Sequence, residues 1–481
     1  MKTPEQLQAK DTKELEFRKR QLAKPEYGHY LLVLCIVITL IHIVDEICTN
    51  TPSMVESNAI KAFFPNLDLS SGKAAMVAIT TPLAGVSMLA PFYKALADKF
   101  GRKMFLVVNT VGFALGMIIC AFSTTIVGYA AGSAVISFFI AHDMQVVYIQ
   151  ECAPADKRAT IYAVTKGLGT IGLVVVPLLR RVYVDANPEL WKNVFLIPGL
   201  MSLAVAAVAL IFTKESKVFL SQRVNHLSQP YEIRHPEPAK KEKLTREEKK
   251  AKKATAGKSG VFRAIHYLFH HDDDLRWTII AIMVFGIGMM GITQNINVIM
   301  ATGMTETEIT NAQTVYSFGY AIIVIIFGLV GDTLGRKTTV AVTGIMSIVS
   351  FLLFVFGVRL HWNSWLMGVL YSGFLGGYWT AQDYLVFMAS EKVPTKIRGS
   401  VLGGVSLMQY VGVGAGMMLL TVAEVFITDE WIGIACAISA IPAMIVSLVL
   451  AMLKVKETKG ADFEALDEEA ELELLGENTE A

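Results

Sequence analysis

Charge is scarce in this chain of 481 residues, and its two signs nearly cancel. Asp, Glu, Lys and Arg make up 18% of the sequence, whereas an average soluble protein carries about 25%. The formal net charge of +1 excludes the strong basic bias of a protein that binds nucleic acid. Apolar residues reach 53%, and their long uncharged runs require a hydrocarbon solvent. The composition therefore indicates an integral membrane protein.

Cysteine is scarce as well, and the sequence lacks the motifs of catalysis and metal binding. The five cysteines fall inside apolar runs or near their ends, with neither metal-ligand spacing nor a disulfide framework. The run HHDDD from His270 leads directly into an apolar run, which favours helix capping over a metal site. The word AGKSG lacks the first glycine of a P-loop. We expect no enzyme, no cofactor and no bound metal.

Apolar runs of about 20 residues, long enough to cross a bilayer as helices, occur twelve times. They lie near residues 29–49, 74–96, 104–122, 125–149, 160–180, 193–213, 277–300, 311–331, 338–358, 364–388, 399–421 and 431–453. The sequence predicts an all-α membrane protein. Its predicted parts are an N-terminal tail at 1–28, a six-helix bundle at 29–213, a linker at 214–275, a second six-helix bundle at 276–453 and an acidic tail at 454–481.

The distribution of positive charge predicts the orientation of the chain. Most of the 43 Lys and Arg residues lie in the two tails, the linker and the loops on the same side of the spans. Because cytosolic segments concentrate Lys and Arg, both termini and the linker are expected in the cytosol. The N-terminus lacks a short apolar core with a small-residue cleavage site, so no signal peptide is expected.

The chain repeats three short words about 240 residues apart. The stretch AHDMQVVYIQECAPADKRA aligns without a gap on AQDYLVFMASEKVPTKIRG, which begins at Ala381. Upstream of the two copies lie DKFGRK and DTLGRK, and downstream lie KES and KET. An apolar chain built from two such halves is typical of a secondary transporter whose substrate site lies between the halves.

The repeated words predict a charge cluster at the cytosolic mouth. Gly101 and Gly335 permit tight turns, and Glu151 and Glu391 are expected partners of the arginines that follow those glycines. Aspartates at the start of the words are expected to accept from the same arginines or from helix-end amides. The predicted cytosolic gate consists of Asp98, Gly101, Arg102, Glu151, Arg158, Asp332, Gly335, Arg336, Glu391 and Arg398. The alternative is that these charges only set the topology.

These motifs resemble the major facilitator superfamily, and within it the branch of sugar porters and related metabolite:proton symporters. The resemblance extends from about Tyr30 to Glu457 and rests on the doubled D-x-x-G-R-K, the doubled E-x-x-P-x-x-x-R and the KES and KET words. It implies two six-helix bundles related by a pseudo-two-fold axis. It also implies transport by alternating access.

Acidic residues inside the first span are candidates for proton coupling. Asp45 and Glu46 lie in its outer half, where an ionised group is costly. The resemblance implies that Asp45 carries the coupled proton. Family members place a partner arginine at the start of the fourth span, where this chain has Thr125, and His42 lies one turn before Asp45 on the same face. The alternative is that both acids face an aqueous vestibule.

Lys166, inside the fifth span, is the main clue to the substrate. Sugar porters commonly carry at this position, eight residues after Arg158, a glutamine that binds hydroxyl groups. A lysine favours pairing with a carboxylate of the substrate. Two alternatives stay open: a structural pair with an acid such as Asp143, or snorkelling to the interface. His142 beside Asp143 is either a second proton site or a packing histidine.

Amides and an aromatic residue in the seventh and tenth spans complete the predicted site. The substrate-binding candidates are Lys166, Gln294, Asn297, Trp379, Gln382 and Asp383. We predict a proton-coupled symporter of a small polar metabolite, favouring an organic anion, in the plasma or inner membrane. A sugar or polyol transporter is the alternative, and a non-transporting sensor a remote one. The expected partners are the substrate, protons and lipid, with no nucleic acid and no obligate protein partner.

Overall fold

The structure is a computed structural model that describes residues 4–23, 29–84, 100–139, 158–230, 272–393 and 395–459 and the short pieces 86, 93, 148–149, 151–152 and 266–270. The described residues form helices joined by turns. Their contacts divide the chain into two compact units. The first unit contains residues 1–52, 79–179 and 190–252, and the second contains 53–78, 180–189 and 253–481. Two short segments of the first half of the chain therefore belong to the second unit.

The first half of the chain supplies ten described α-helices. They are α1 Pro4–Leu22, α2 Tyr30–Met54, α3 Glu56–Phe63, α4 Leu69–Ala84, α5 Arg102–Phe122, α6 Ile126–Phe138, α7 Arg158–Ile171, α8 Val175–Tyr183, α9 Asn193–Phe212 and α10 Lys217–Ser228. Close packing of α5 and α6 depends on Gly116 and Gly132. A Cβ added to Gly132 would lie 2.8 Å from the carbonyl oxygen of Gly116, so the G-x-x-x-G spacing marks a tight helix contact.

The second half supplies seven more described α-helices. They are α11 Asp273–Met289, α12 Ile296–Ala301, α13 Glu306–Leu334, α14 Arg336–Arg359, α15 Ser364–Ser390, α16 Thr395–Phe426 and α17 Ile432–Lys454. The side chain of Asp272 accepts from the backbone N–H of Leu275 at 3.2 Å, which confirms helix capping at the HHDDD run. In this half the G-R-K turn lies between α13 and α14, at what we call the motif end of the spans.

Each of the twelve predicted spans contains a described helix, which confirms the all-α membrane fold. Eight helical segments within the described ranges are long and apolar enough to cross a membrane. Helices also occur outside the predicted spans. Helix α1 lies in the predicted tail and α10 in the predicted linker, and Glu14 of α1 accepts two hydrogen bonds from Arg223 of α10, at 2.9 and 3.1 Å.

The seventh span departs from a continuous helix. After α11 a π-helical turn covers Met290–Gln294, and Asn295 then leaves helical geometry before α12 begins. A π-helical turn changes the spacing of the i to i+4 ladder. It therefore changes the faces on which Gln294, Asn295 and Asn297 lie, and it leaves a backbone carbonyl available for another partner.

Candidate functional site

The two G-R-K turns have the same backbone geometry. Gly101 has φ 108° and ψ 154°, and Gly335 has φ 94° and ψ 158°. This region of φ/ψ space is essentially restricted to glycine. A Cβ would also collide with a carboxylate, Glu215 at Gly101 and Glu457 at Gly335. The turns therefore require glycine for both conformation and space.

The glutamates of KES and KET bind the amides that these turns expose. Glu215 accepts from the backbone N–H groups of Arg102 and Lys103, at 2.9 and 3.2 Å. Glu457 accepts from those of Arg336 and Lys337, at 2.9 and 3.0 Å. A carboxylate at a helix N-terminus satisfies unpaired donors and complements the helix dipole. Asp98 and Asp332 were expected to accept from the arginines or from these helix-end amides. The role of Glu215 and Glu457 was not predicted, although KES and KET are repeated words.

The arginines of the turns form ion pairs with the glutamates of the E-x-x-P-x-x-x-R words. Arg102 Nε lies 2.9 Å from Glu151 Oε1 in the first unit. Arg336 Nη2 lies 3.2 Å from Glu391 Oε1 in the second. The function of these pairs as a gate stays a prediction. Asp98 lies outside the described residues, and the described structure does not include the side chains of Arg158, Asp332 and Arg398.

The two capping glutamates differ in their electrostatics. Burial raises the pKa of Glu215 above its ordinary value and outweighs the backbone N–H donors that stabilise its charge. For the exposed Glu457, burial acts in the same direction, but its backbone donors outweigh it and lower the pKa. The same motif therefore holds a carboxylate with a raised pKa in one half and a carboxylate with a lowered pKa in the other.

The structure places the predicted proton-coupling residues of the first span along α2. Asp45 is fully buried, and its Oδ1 accepts from the Thr49 hydroxyl at 3.3 Å. Glu46 is half-buried and accepts from the Asn50 side chain at 3.2 Å. Thr125, where the resemblance implied a partner arginine, is the N-cap of α6. His142 and Asp143 lie outside the described residues.

Lys166 lies on the side of α7 that packs against α2. A Cβ added to Gly169 would lie 2.4 Å from Cβ of His42, so the two helices touch there. Lys166 is one turn before Gly169 and therefore on the same face. It is half-buried. The structure thus brings the buried His42 and the helix face of Lys166 to the same part of the first unit.

In the tenth span, Gln382 differs from its neighbours. Its side chain is buried, and neither its amide oxygen nor its amide nitrogen has a hydrogen-bond partner among the described residues. Trp379 lies one turn earlier on the same face of α15 and is half-buried. Asp383 is exposed. Gln382 and Trp379 therefore present an amide and an indole side by side.

The side-chain amide of Asn297 is hydrogen-bonded to backbone groups. Its Oδ1 accepts from the N–H of Ser57 at 2.7 Å, and its Nδ2 donates to the carbonyl of Met54 at 3.0 Å. Asn297 thus holds the turn between α2 and α3 in this arrangement. Gln294 contributes its backbone carbonyl, which accepts from Lys73 Nζ at 3.1 Å.

Two buried charge clusters of the second unit were missed by the sequence analysis. Arg180 has no exposed surface and donates to Glu306 at 2.7 Å. Lys73 lies 2.5 Å from Glu56, in the same unit as the buried Glu424. Their signal in the sequence was weak, because each charge lies at or beyond the end of a predicted apolar run.

The family model for sugar (and other) transporters matches residues 36–470. The chain belongs to this family. It is a transporter of the sugar porter family within the major facilitator superfamily, which confirms the family resemblance and the transporter class. The glucose transporter GlcP of Staphylococcus epidermidis is 23% identical over 438 residues, which are 89% of this chain and 95% of the relative.

Solved structures of sugar porters have the same fold. A D-xylose-proton symporter is similar with a TM-score of 0.62 at 16% identity, over 90% of this chain and 99% of that one. An inward open structure of the xylose transporter XylE from E. coli is similar with a TM-score of 0.61 at 15% identity, over 90% and 99%. At this identity the similarity establishes the fold alone.

Proposed function

We propose that this protein carries a sugar or a polyol across the membrane together with protons, by alternating access. The observation that carries the proposal is the match of the sugar transporter family to residues 36–470, nearly all of the two predicted bundles. The relatives point the same way: one is named a glucose transporter, and one that matches 34% of this chain is a proton myo-inositol cotransporter from Caenorhabditis elegans.

The family favours the sugar or polyol alternative over the organic anion that Lys166 suggested. The Gln382 side chain supports this choice. An amide offers two donors and two acceptor lone pairs, which match hydroxyl groups that both donate and accept. A buried amide without partners is costly, and a bound hydroxyl would remove that cost. Trp379 supplies an apolar face beside it for the carbon skeleton of the ring.

Proton coupling is the second part of the proposal. Asp45 is buried in the first span with a hydroxyl as its hydrogen-bond partner. An acidic residue inside a span is a functional candidate, and we assign the coupled proton to Asp45. The protein is a multi-pass membrane protein, and we propose the cell membrane, with both termini in the cytosol, on the distribution of Lys and Arg.

The test is uptake into proteoliposomes with a trapped pH dye. Radiolabelled D-glucose, D-xylose and myo-inositol are offered in turn, and a set of carboxylates serves as competitors. We expect uptake of a sugar or polyol with internal acidification, and loss of most uptake in Gln382→Ala. Gln229→Ala, an exposed amide at the end of α10, is the matched control. Uptake of a carboxylate alone would overturn the substrate class, and uptake without acidification would overturn proton coupling.

A further inference from the structure

Three ionisable side chains lie in one part of the second unit, at the end of the spans opposite the motif end, where Ala74 of α4 and Thr421 of α16 line the same cavity. Glu56 opens α3, Lys73 lies one turn into α4, and Glu424 lies two residues before the end of α16. Lys73 Nζ is 2.5 Å from Glu56 Oε1, and the two side chains are only 5% and 12% exposed. Lys73 Nζ donates a second hydrogen bond, at 3.1 Å, to the backbone carbonyl of Gln294 in the π-helical turn.

Glu424 is the unusual member of this cluster. Its side chain is 1% exposed, and neither carboxylate oxygen makes a well-formed hydrogen bond within the described residues. The groups that act on it are the charges of Lys73 and Glu56 and the side-chain amide of Asn295. On α17, another helix that packs against α16, the Cys436 thiol is buried and feels the charge of Glu424. Among the described residues, Lys73 is the cation that acts on Glu424, and it already pairs with Glu56.

The charges of this cluster do not balance. Two carboxylates and one ammonium leave one negative charge in a buried site. An unpaired buried charge is strongly unfavourable, and in proteins such a group neutralises instead. Two carboxylates that share a site cannot both ionise without cost, so one of them retains a proton. Glu56 contacts the lysine directly, and Glu424 does not.

We propose that Glu56, Lys73 and Glu424 form a proton-binding site in which Glu424 carries the proton and Lys73 keeps Glu56 ionised. With Glu424 neutral, the cluster has one positive and one negative charge. Deprotonation of Glu424 leaves a buried negative charge, which the cluster can lower only by separating and admitting water. Protonation therefore stabilises the assembled cluster, and deprotonation favours its opening.

The cluster joins parts of the chain that alternating access has to move. Glu56 and Lys73 come from α3 and the start of α4, between the first two predicted spans, and Glu424 comes from the end of α16, just beyond the predicted eleventh span. Asn297 and Gln313 bind the carbonyl of Met54 close to the same segment, both at 3.0 Å. The significance of the site for transport rests on the proposed alternating-access symport. Its proton occupancy does not.

Infrared difference spectroscopy of the full-length protein tests proton occupancy without a substrate. In the Asp45→Asn protein, which lacks the carboxyl proposed to carry the coupled proton, we expect at neutral pH the carbonyl band of a buried protonated carboxylic acid. This band should be absent when Glu424→Gln is added and present, at a shifted position, when Glu424→Asp is added. In Lys73→Met the band should grow, because Glu56 loses its cation. Glu430→Gln is the control, since Glu430 is exposed on the turn that follows α16. A band that survives in Glu424→Gln overturns the assignment.

Labelling of Cys436 tests the opening step. In a protein whose Cys35, Cys48, Cys120 and Cys152 are replaced by serine, Cys436 is the one thiol left. We expect maleimide labelling to rise with pH more steeply in the protein with Glu424 than in Glu424→Gln, whose labelling follows the chemistry of the thiol alone. Equal slopes would overturn the link to opening. Neither readout needs a sugar, so failure of the uptake assay would reject the proposed function and leave the proton site standing.

Discussion

Arg180, without any exposed surface, donates to Glu306 at 2.7 Å and to the side chain of Asn58 at 3.1 Å. A third bond runs from Arg180 to the carbonyl of Met54 at 2.9 Å. The guanidinium therefore joins α8 to α13 and to the turn between α2 and α3. Arginine suits this place because its planar group makes several bonds in fixed directions.

Removing one partner of this pair should be more harmful than removing both. Glu306→Leu leaves a buried guanidinium without its counter-charge, which costs about 3–5 kcal/mol. In the double variant with Arg180→Leu, we expect much of that loss to be recovered. Thermal unfolding in detergent, followed by tryptophan fluorescence, measures the cycle. Arg181→Leu removes the exposed neighbour and should change little. Additive losses in the double variant would contradict a coupled pair.

The turn glycines should tolerate no side chain. We expect Gly101→Ala and Gly335→Ala each to cost about 1–3 kcal/mol, the usual range for a residue held in such a strained backbone conformation. Displacement of Glu215 or Glu457 from the helix N-terminus adds to the loss. Gly414→Ala is the control, because nothing lies within 4 Å of its added Cβ. A neutral effect of Gly101→Ala on thermal unfolding would show that the turn relaxes.

The sequence predicted the parts of this protein that depend on local pattern. A described helix lies in each of the twelve apolar runs, because a span must be apolar along its own length. Spacing within the repeated words also indicated the partners of Arg102 and Arg336. The break in the seventh span was missed, because apolar character does not reveal which carbonyls leave the helical ladder.

The buried charges were missed for a related reason. The predicted eleventh span ended at residue 421, three residues before Glu424, and the second began one residue after Lys73. At the ends of spans, hydropathy cannot separate a solvated charge from one buried by a distant segment. Burial of Lys73 and Glu424 depends on contacts between residues hundreds of positions apart. The local pattern of apolar and polar residues does not reveal such contacts.

Opposite pKa shifts at Glu215 and Glu457 predict opposite pH dependence. Glu457 has a lowered pKa, so the stability it contributes is present above its ordinary value of 4.5 and is lost as the pH falls below it. Glu215 has a raised pKa, so the stability linked to its protonated form is lost as the pH rises above 4.5. In Glu457→Gln the unfolding temperature should fall less than in the unmodified protein as the pH drops below 4.5. In Glu215→Gln it should change less as the pH rises above 4.5. Identical profiles of the two variants would contradict the shifts.

Asp45→Asn should separate exchange from accumulation. An asparagine keeps the shape and the hydrogen bond to Thr49 but cannot bind and release a proton. We expect uphill accumulation driven by a pH gradient to fall to the level of empty liposomes, while exchange of labelled for unlabelled sugar continues. Asp68→Asn, on an exposed turn before α4, is the control. Accumulation that persists in Asp45→Asn would move the coupled proton to another group.

Lys166→Gln tests whether the lysine binds the carboxylate of an anionic substrate or a hydroxyl group of a sugar or polyol. Glutamine offers a donor and an acceptor to hydroxyl groups, whereas lysine only donates. If the substrate is a sugar or polyol, the exchange alters about one hydrogen bond, worth about 0.5–1.5 kcal/mol, so KM should change by no more than about tenfold. If the substrate is an anion, loss of the ammonium removes its counter-charge, and uptake should fall to background. Lys217→Gln, exposed at the start of α10, is the control. Competition between labelled sugar and carboxylates in both variants separates the outcomes, because only an anion site loses carboxylate inhibition when Lys166 is replaced.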